Sequence, residues 1–164
     1  MEKIQEAVKY IQSIYEEKPV VGIVLGSGLG GFTDEIKIEK KIFYSDIPNF
    51  PVSTVKGHSG KLIFGELSGK KVAAIAGRFQ YYEGYDTAKY HMINLLGADA
   101  VGMSTVQETI TAVQMAIPVF AISVITDLGI CDEENKITHE EVLAAAKEAE
   151  PKLAYIFKEL VAQL

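Results

Sequence analysis

Val20-Val21-Gly22-Ile23-Val24-Leu25 runs directly into Gly26-Ser27-Gly28-Leu29-Gly30-Gly31. A continuous, mostly β-branched run after Pro19 predicts a strand buried on both faces, as at the centre of an α/β sheet. Glycines at its C-terminal end let the backbone approach an anion closely, and Ser27 adds a hydroxyl donor. Gly26, Gly28 and Gly31 also fit the dinucleotide pattern G-x-G-x-x-G. However, Phe32-Thr33-Asp34-Glu35-Ile36-Lys37 is too short and polar for the long helix a Rossmann unit needs. From these residues alone the loop is an anion cradle or a plain tight turn.

Moving outward, Ile4, Ala7, Val8, Ile11, Ile14 and Tyr15 recur at helical spacing, so residues 2–17 should form a helix with one buried stripe, ended by Pro19. Lys61–Leu67 and Lys71–Ala76 flank Ser68-Gly69-Lys70, the pattern of a hairpin. Gly77-Arg78 follows its second strand. Residues 86–96 read as a helix and Ala98–Met103 as a strand. Thr105-Val106-Gln107-Glu108 has the form of a capping box opening a helix to about Ala116. Pro118 precedes a strand, Val119–Ile125. Thr138-His139-Glu140-Glu141 is a second capping box, opening a C-terminal helix that Pro151 should kink or break. Strands and helices mix, so the class is α/β, read as one domain over 1–164.

The bulk properties narrow the function. The 164 residues are 48% hydrophobic and 23% charged, the profile of a globular chain long enough to bury a core. A net charge of −6 without a basic stripe excludes an ordinary nucleic-acid binder and points to a small-molecule or protein partner. One cysteine, Cys131, and three scattered histidines, His58, His91 and His139, make no metal-ligand spacing. The apolar runs are too short to cross a bilayer, and the polar start Met1-Glu2-Lys3 carries no apolar signal region. The expected location is the cytoplasm.

Further candidate positions follow the glycine loop. His58 stands between glycines in Gly57-His58-Ser59-Gly60. Arg78, suited to bidentate phosphate contact, opens Arg78-Phe79-Gln80-Tyr81-Tyr82-Glu83-Gly84-Tyr85, whose tyrosines can stack on a sugar or base. Met103 and Ser104 lie at a strand end, where α/β sheets place ligands. Asp127 ends the last strand. His139 opens the final helix, where the helix dipole disfavours its charged form. Taken singly, each has an ordinary alternative: a turn residue, an edge-of-core aromatic patch, a helix cap, or an exposed side chain.

Together and in order, these phrases resemble the trimeric-type purine nucleoside phosphorylases. The matching stretches are Leu25–Gly30, Ile47-Pro48 with Gly57–Gly60, Gly77-Arg78-Phe79 with Tyr82–Tyr85, the specific Gly97-Ala98-Asp99-Ala100-Val101-Gly102-Met103-Ser104-Thr105-Val106, and His139–Leu143. The resemblance implies a three-layer αβα fold with a mixed central sheet, here shortened. It implies phosphorolysis of purine nucleosides to free base and ribose 1-phosphate. Inorganic phosphate is then the co-substrate, with no cofactor and no metal, and a homo-oligomer is expected, a trimer if it follows the family. By the same resemblance Ser27, His58, Arg78 and Ser104 bind phosphate. Tyr82 and Met103 cover the ribose, His139 meets the 5′-hydroxyl, and Asp127 faces the purine. His58, Asp127 and His139 are the implied catalytic positions.

That chemistry suits these residue types. As the base leaves, the sugar gains oxocarbenium character, and converging donors must hold a phosphate dianion beneath C1′. Several departures from the family pattern bear on the base side. Asp127 stands where many members have asparagine, and an ionised carboxylate accepts but cannot donate, which favours a 6-amino purine. Gln80 replaces a histidine and Gln107 a proline. Between Tyr85 and Gly97 the chain lacks a stretch comparable to a small domain, about 100 residues. In the family that stretch carries the glutamate that reads the purine N1. A catalytically impaired or designed relative that still binds phosphate is therefore the rival to an active enzyme, and a dinucleotide binder the more distant one.

Overall fold

The computed structural model describes residues 2–26, 28–50, 60–77, 105–126 and 138–164. The chain divides into two compact units, Met1–Phe79 with Ala146–Leu164, and Gln80–Ala145. The expected helix at 86–96 and strand at Ala98–Met103 lie outside the described residues.

The first unit is built on a four-stranded sheet. Helix α1 spans Glu2–Ile14, followed by β1 Val21–Val24, a 3-10 helix Gly30–Glu35, β2 Lys37–Phe43, β3 Lys61–Leu67 and β4 Lys70–Ala76. The strand order is β1-β4-β3-β2. β1 runs parallel to β4, with Ile23 opposite Ala74, whereas β4, β3 and β2 are antiparallel. The sheet is therefore mixed, as expected. The hairpin forms with a two-residue turn: Leu67 faces Lys70, and Ser68 and Gly69 have φ of 50° and 78°. Positive φ at both positions matches the right-handed twist of the flanking strands. Ser68 is unusual there, and its hydroxyl donates to the Lys158 carbonyl at 3.1 Å.

Alternation along β3 and β4 splits the core into two layers. Ile63, Leu67, Val72, Ala74 and Ala76 join Ile23, Leu25 and Phe32 on one face. There they meet Ala154, Phe157 and Val161 of the long helix His139–Ala162. Leu62, Phe64, Ala73 and Ile75 point the other way, against Ala7, Tyr10, Ile11 and Ile14 of α1. Helix, sheet and helix thus form three layers in this unit, an αβα arrangement.

Several details depart from the sequence expectations. The first helix ends at Ile14 rather than residue 17. Its inward face is Ala7, Tyr10, Ile11 and Ile14, leaving Ile4 and Val8 exposed. β1 has one neighbour in the described ladder, β4, so it is not flanked on both sides there. β2 was not anticipated. Its Lys-Ile-Glu-Lys-Lys-Ile-Phe sequence lacks a period of two because the register shifts between Ile38 and Lys40, a bulge that breaks the alternation. Gly65 lies opposite that bulge, and the Lys37 carbonyl occupies the place a Cβ would take.

In the second unit, helix α2 covers Val106–Gln114. It begins where expected, but no capping box forms: Thr105 sits at φ 72° and its side chain makes no capping hydrogen bond. Its end is a Schellman motif, with Ile117 N–H donating to Ala112 O at 2.9 Å, Ala116 N–H to Val113 O at 3.0 Å, and Ala116 at φ 56°. The expected strand Val119–Ile125 is not a strand: residues 117–126 carry no regular structure. A β-branched run has strand propensity, but a strand needs a ladder, and its expected neighbour lies outside the described residues.

The long helix His139–Ala162, labelled α3, begins with the capping box read from sequence. Thr138 N–H donates to Glu141 Oε2 at 2.8 Å, and Glu141 N–H returns to Thr138 Oγ1 at 3.3 Å. The Thr138 N–H, and then the Thr138 hydroxyl donating at 3.0 Å, hold the Glu141 carboxyl below its ordinary pKa. Pro151 does not break α3, which runs through it for 24 residues. Beyond the proline, burial of Leu153, Ala154 and Val161 outweighs the lost backbone hydrogen bond.

Candidate functional site

Parallel β1 and β4 lie side by side, so their C-terminal ends open at the same edge of the sheet. β1 continues into Leu25 and the glycine loop, and β4 into Gly77. At that edge is a cavity of about 130 Å³, lined by Leu25, Gly26, Gly28, Gly30, Thr33, Lys41, Lys61, Ile63, Ala76 and Gly77. That is about ten times the space one water needs, enough for a small oxyanion.

The lining has a distinct chemistry. Four of its residues are glycines, so backbone rather than side chain forms much of the wall. Gly28 at φ 76° and Gly77 at φ 130° adopt conformations that side-chain-bearing residues rarely take. Among the described lining residues there are two lysines and no carboxylate, in a chain whose net charge is −6. Lys41 comes from β2. Lys61 opens β3, with its ammonium 5.3 Å from the centre of the Phe43 ring. A cationic wall in an acidic protein concentrates anions locally.

Tyr44 ties together two chain segments next to this cavity. It lies in a one-turn 3-10 helix, Tyr44–Asp46, just past β2. Its backbone N–H donates to Gly60 O at 2.9 Å, and its buried hydroxyl donates to Gly77 O at 2.8 Å. Only 1% of Tyr44 is exposed, and burial pushes its phenol up to about 12. Gly60 closes the Gly57-His58-Ser59-Gly60 phrase, and Gly77 immediately precedes Arg78.

The glycine loop is held from behind. Phe32 N–H, in the first turn of the 3-10 helix, donates to Glu150 Oε1 of α3 at 2.9 Å. The Phe32 ring meets Phe157 edge-on with centroids 5.9 Å apart. Lys158 pairs with Glu35 at 2.6 Å. The glycine loop thus leads into two turns of 3-10 helix, Gly30–Glu35, clamped to α3, in agreement with the reading against a Rossmann helix.

Of the residues singled out in the sequence, Ser27, His58, Arg78, Tyr82, Met103, Ser104 and Asp127 lie outside the described residues. His139 is described only as the first residue of α3. In sequence, Ser27 lies between Gly26 and Gly28, and Arg78 follows Gly77, all three of these glycines lining the cavity. Sequence reasoning missed Lys41, Lys61, Tyr44 and Glu150. Lys61 had a usable signal, since it follows the Gly57–Gly60 phrase directly. The others depend on register or on contacts distant in sequence. Among the described residues no three acidic, histidine or cysteine side chains gather as a metal site, and no helix is long and apolar enough to cross a membrane.

Comparison with known proteins converges on one group. Residues 74–162 match the model of the phosphorylase superfamily. The chain is 51% identical to purine nucleoside phosphorylase 1 of Geobacillus stearothermophilus over 86 residues, covering 52% of this chain and 31% of that protein. It is 44% identical to purine nucleoside phosphorylase 1 of Bacillus subtilis over 104 residues, 61% of this chain and 38% of that protein. The matched region therefore spans about a third of the length of these relatives. Against the purine nucleoside phosphorylase of Bos taurus the alignment runs over 275 residues at 27% identity, using 99% of this chain and 95% of the relative. A 164-residue chain cannot fill 275 positions, and both ends are matched, so the unmatched stretch is internal. In structure, the chain superposes on Schistosoma mansoni purine nucleoside phosphorylase in complex with adenosine with a TM-score of 0.87 and 25% identity, covering 100% and 98% of the two chains. Isoform 2 from the same organism, in complex with cytosine and ribose-1-phosphate, gives 0.85 at 26% identity, covering 99% and 96%.

Proposed function

The chain belongs to the phosphorylase superfamily, and from that premise we propose that it acts on purine nucleosides with inorganic phosphate, giving free base and ribose 1-phosphate. The observation that carries this reading is the cavity at the ends of β1 and β4. It is walled by glycine backbone and two lysines, and Ser27 and Arg78 adjoin its lining in the chain. The αβα fold of the first unit and the solved relatives bound to adenosine and to ribose-1-phosphate support it.

In this reading one phosphate oxygen bonds to C1′ as the glycosidic bond breaks, and the electron pair leaves with the purine. Ser27, His58, Arg78 and Ser104 hold the phosphate. Tyr82 and Met103 cover the ribose, His139 meets its 5′-hydroxyl, and Asp127 faces the base. No cofactor or metal is required. Both units belong to one phosphorylase-like domain. The protein works in the cytoplasm as a homo-oligomer, in this reading a trimer. Exposed apolar side chains on α2 and the segment after it, among them Ile110, Val113, Met115 and Ile125, give such an assembly a surface to cover.

A second reading, a family member that binds phosphate but is catalytically impaired, is favoured by the internal stretch that the Bos taurus enzyme has and this chain lacks. Incubation with inosine or adenosine and phosphate separates the two. Equal amounts of free base and ribose 1-phosphate support the first reading. Phosphate binding without either product selects the second.

A further inference from the structure

The last glycine of the loop and a carboxylate 119 positions later in the chain occupy the same small space. A Cβ built on Gly31 would lie 2.9 Å from Glu150 Oε2 and 3.0 Å from Oε1. The same carboxylate accepts the Phe32 N–H at 2.9 Å. Gly31 and Phe32 lie between Gly30 and Thr33, both of which line the cavity. Glu150 therefore grips the middle of the segment whose two ends wall the candidate phosphate site.

From this we infer that Glu150 is a positioning residue for the phosphate loop. It accepts a hydrogen bond from the first turn of the 3-10 helix and so fixes where Gly30 and Thr33 stand. The inference rests on the phosphate site proposed above. Three physical points support it. The Phe32 N–H is shared between the Leu29 carbonyl at 3.3 Å and Glu150 Oε1 at 2.9 Å, and the carboxylate is the nearer acceptor. A carboxylate is the best such acceptor, because the helix dipole also favours negative charge there. Glu150 is itself held, because α3 is anchored to the same short helix by the Phe157–Phe32 contact and the Lys158–Glu35 ion pair. Thr33 is oriented in turn, its hydroxyl donating to Gly30 O at 2.8 Å. The glycine at 31 thus admits a protein carboxylate, a different purpose from the close helix–strand packing of the dinucleotide fingerprint.

Three variants test this by calorimetric titration with inorganic phosphate, each accompanied by a urea unfolding curve. Glu150→Ala removes the acceptor, and phosphate Kd should rise at least about fivefold. Gly31→Ala keeps the carboxylate but displaces it, and should raise Kd in the same direction. Glu150→Gln keeps an acceptor oxygen and removes the charge. Its Kd should stay within about twofold of the parent or tighten, since a negative charge near the anion is gone. An unchanged Kd in Glu150→Ala, with or without lost stability, overturns the inference. So does a Gln variant as weak as the Ala variant. If the parent protein binds no phosphate, it is the phosphate-site reading itself that fails.

Discussion

Replacing Tyr44 with phenylalanine removes one oxygen from a 1%-exposed side chain and leaves its ring packing and backbone bond to Gly60 in place. What is lost is the 2.8 Å hydrogen bond to the Gly77 carbonyl. Leaving a buried carbonyl without its donor costs about 1–3 kcal/mol. For a chain of this size that lowers Tm by about 4–8 °C, taking 2 kcal/mol as the centre. Because Gly77 precedes Arg78, phosphate affinity should fall as well. The bond also has a pH signature. Burial raises the phenol from 10.0 to about 12 in the folded protein, so the unfolded chain loses this proton first. The contribution is complete below pH 10 and fades as pH climbs toward 12. Urea unfolding of parent and Tyr44→Phe at pH 8 and across pH 10–12 measures it. The gap should be widest at pH 8 and close as pH rises. Identical midpoints at pH 8, or a gap that is constant with pH, would refute the reasoning.

Other perturbations probe the same cavity and its neighbours. Arg78→Ala should weaken phosphate binding by about 1.5–3 kcal/mol, the scale of a hydrogen bond to a charged group, and unchanged affinity by calorimetry removes Arg78 from the site. The double variant Lys41→Met/Lys61→Met should lose about threefold to tenfold in phosphate affinity at low salt, with the difference shrinking at high salt as exposed charges are screened. A loss that does not respond to salt would mean the lysines act through packing. Light scattering at micromolar concentration should show an oligomer, because Ile110, Val113, Met115 and Ile125 are all exposed. A clean monomer would contradict the proposed assembly.

The parts of the fold legible in the sequence were local. The strand-plus-glycine-loop unit, the hairpin turn at Ser68-Gly69 and the Thr138–Glu141 capping box each carry their signal within a few residues. Features set by tertiary structure were not legible. β2 hides behind a bulge and four charged residues. The 119–125 run has a strand's composition, yet composition supplies no ladder partner. Pro151 looks like a helix breaker, yet apolar burial beyond it carries the helix through. At the cavity, chain order identified the glycine loop after β1 and the end of β4, both of which line it. It could not reveal that Tyr44 bonds a carbonyl 33 residues away, or Glu150 an amide 118 residues away. Such partners are set by folding, and a single sequence carries no local trace of them.

The most direct test of the account is the initial rate of base release from inosine and from adenosine, with and without saturating phosphate. In the proposed reading the cavity at the ends of β1 and β4 takes the phosphate, and the chain lacks an internal stretch that the Bos taurus enzyme has. Losing one group that stabilises the departing base typically costs about 10²–10³ in rate. Release should therefore require phosphate, run well below about 10 s⁻¹, and favour adenosine, because an ionised Asp127 accepts from its amino group. Release that is indifferent to phosphate, or inosine turnover near 10 s⁻¹, would contradict it.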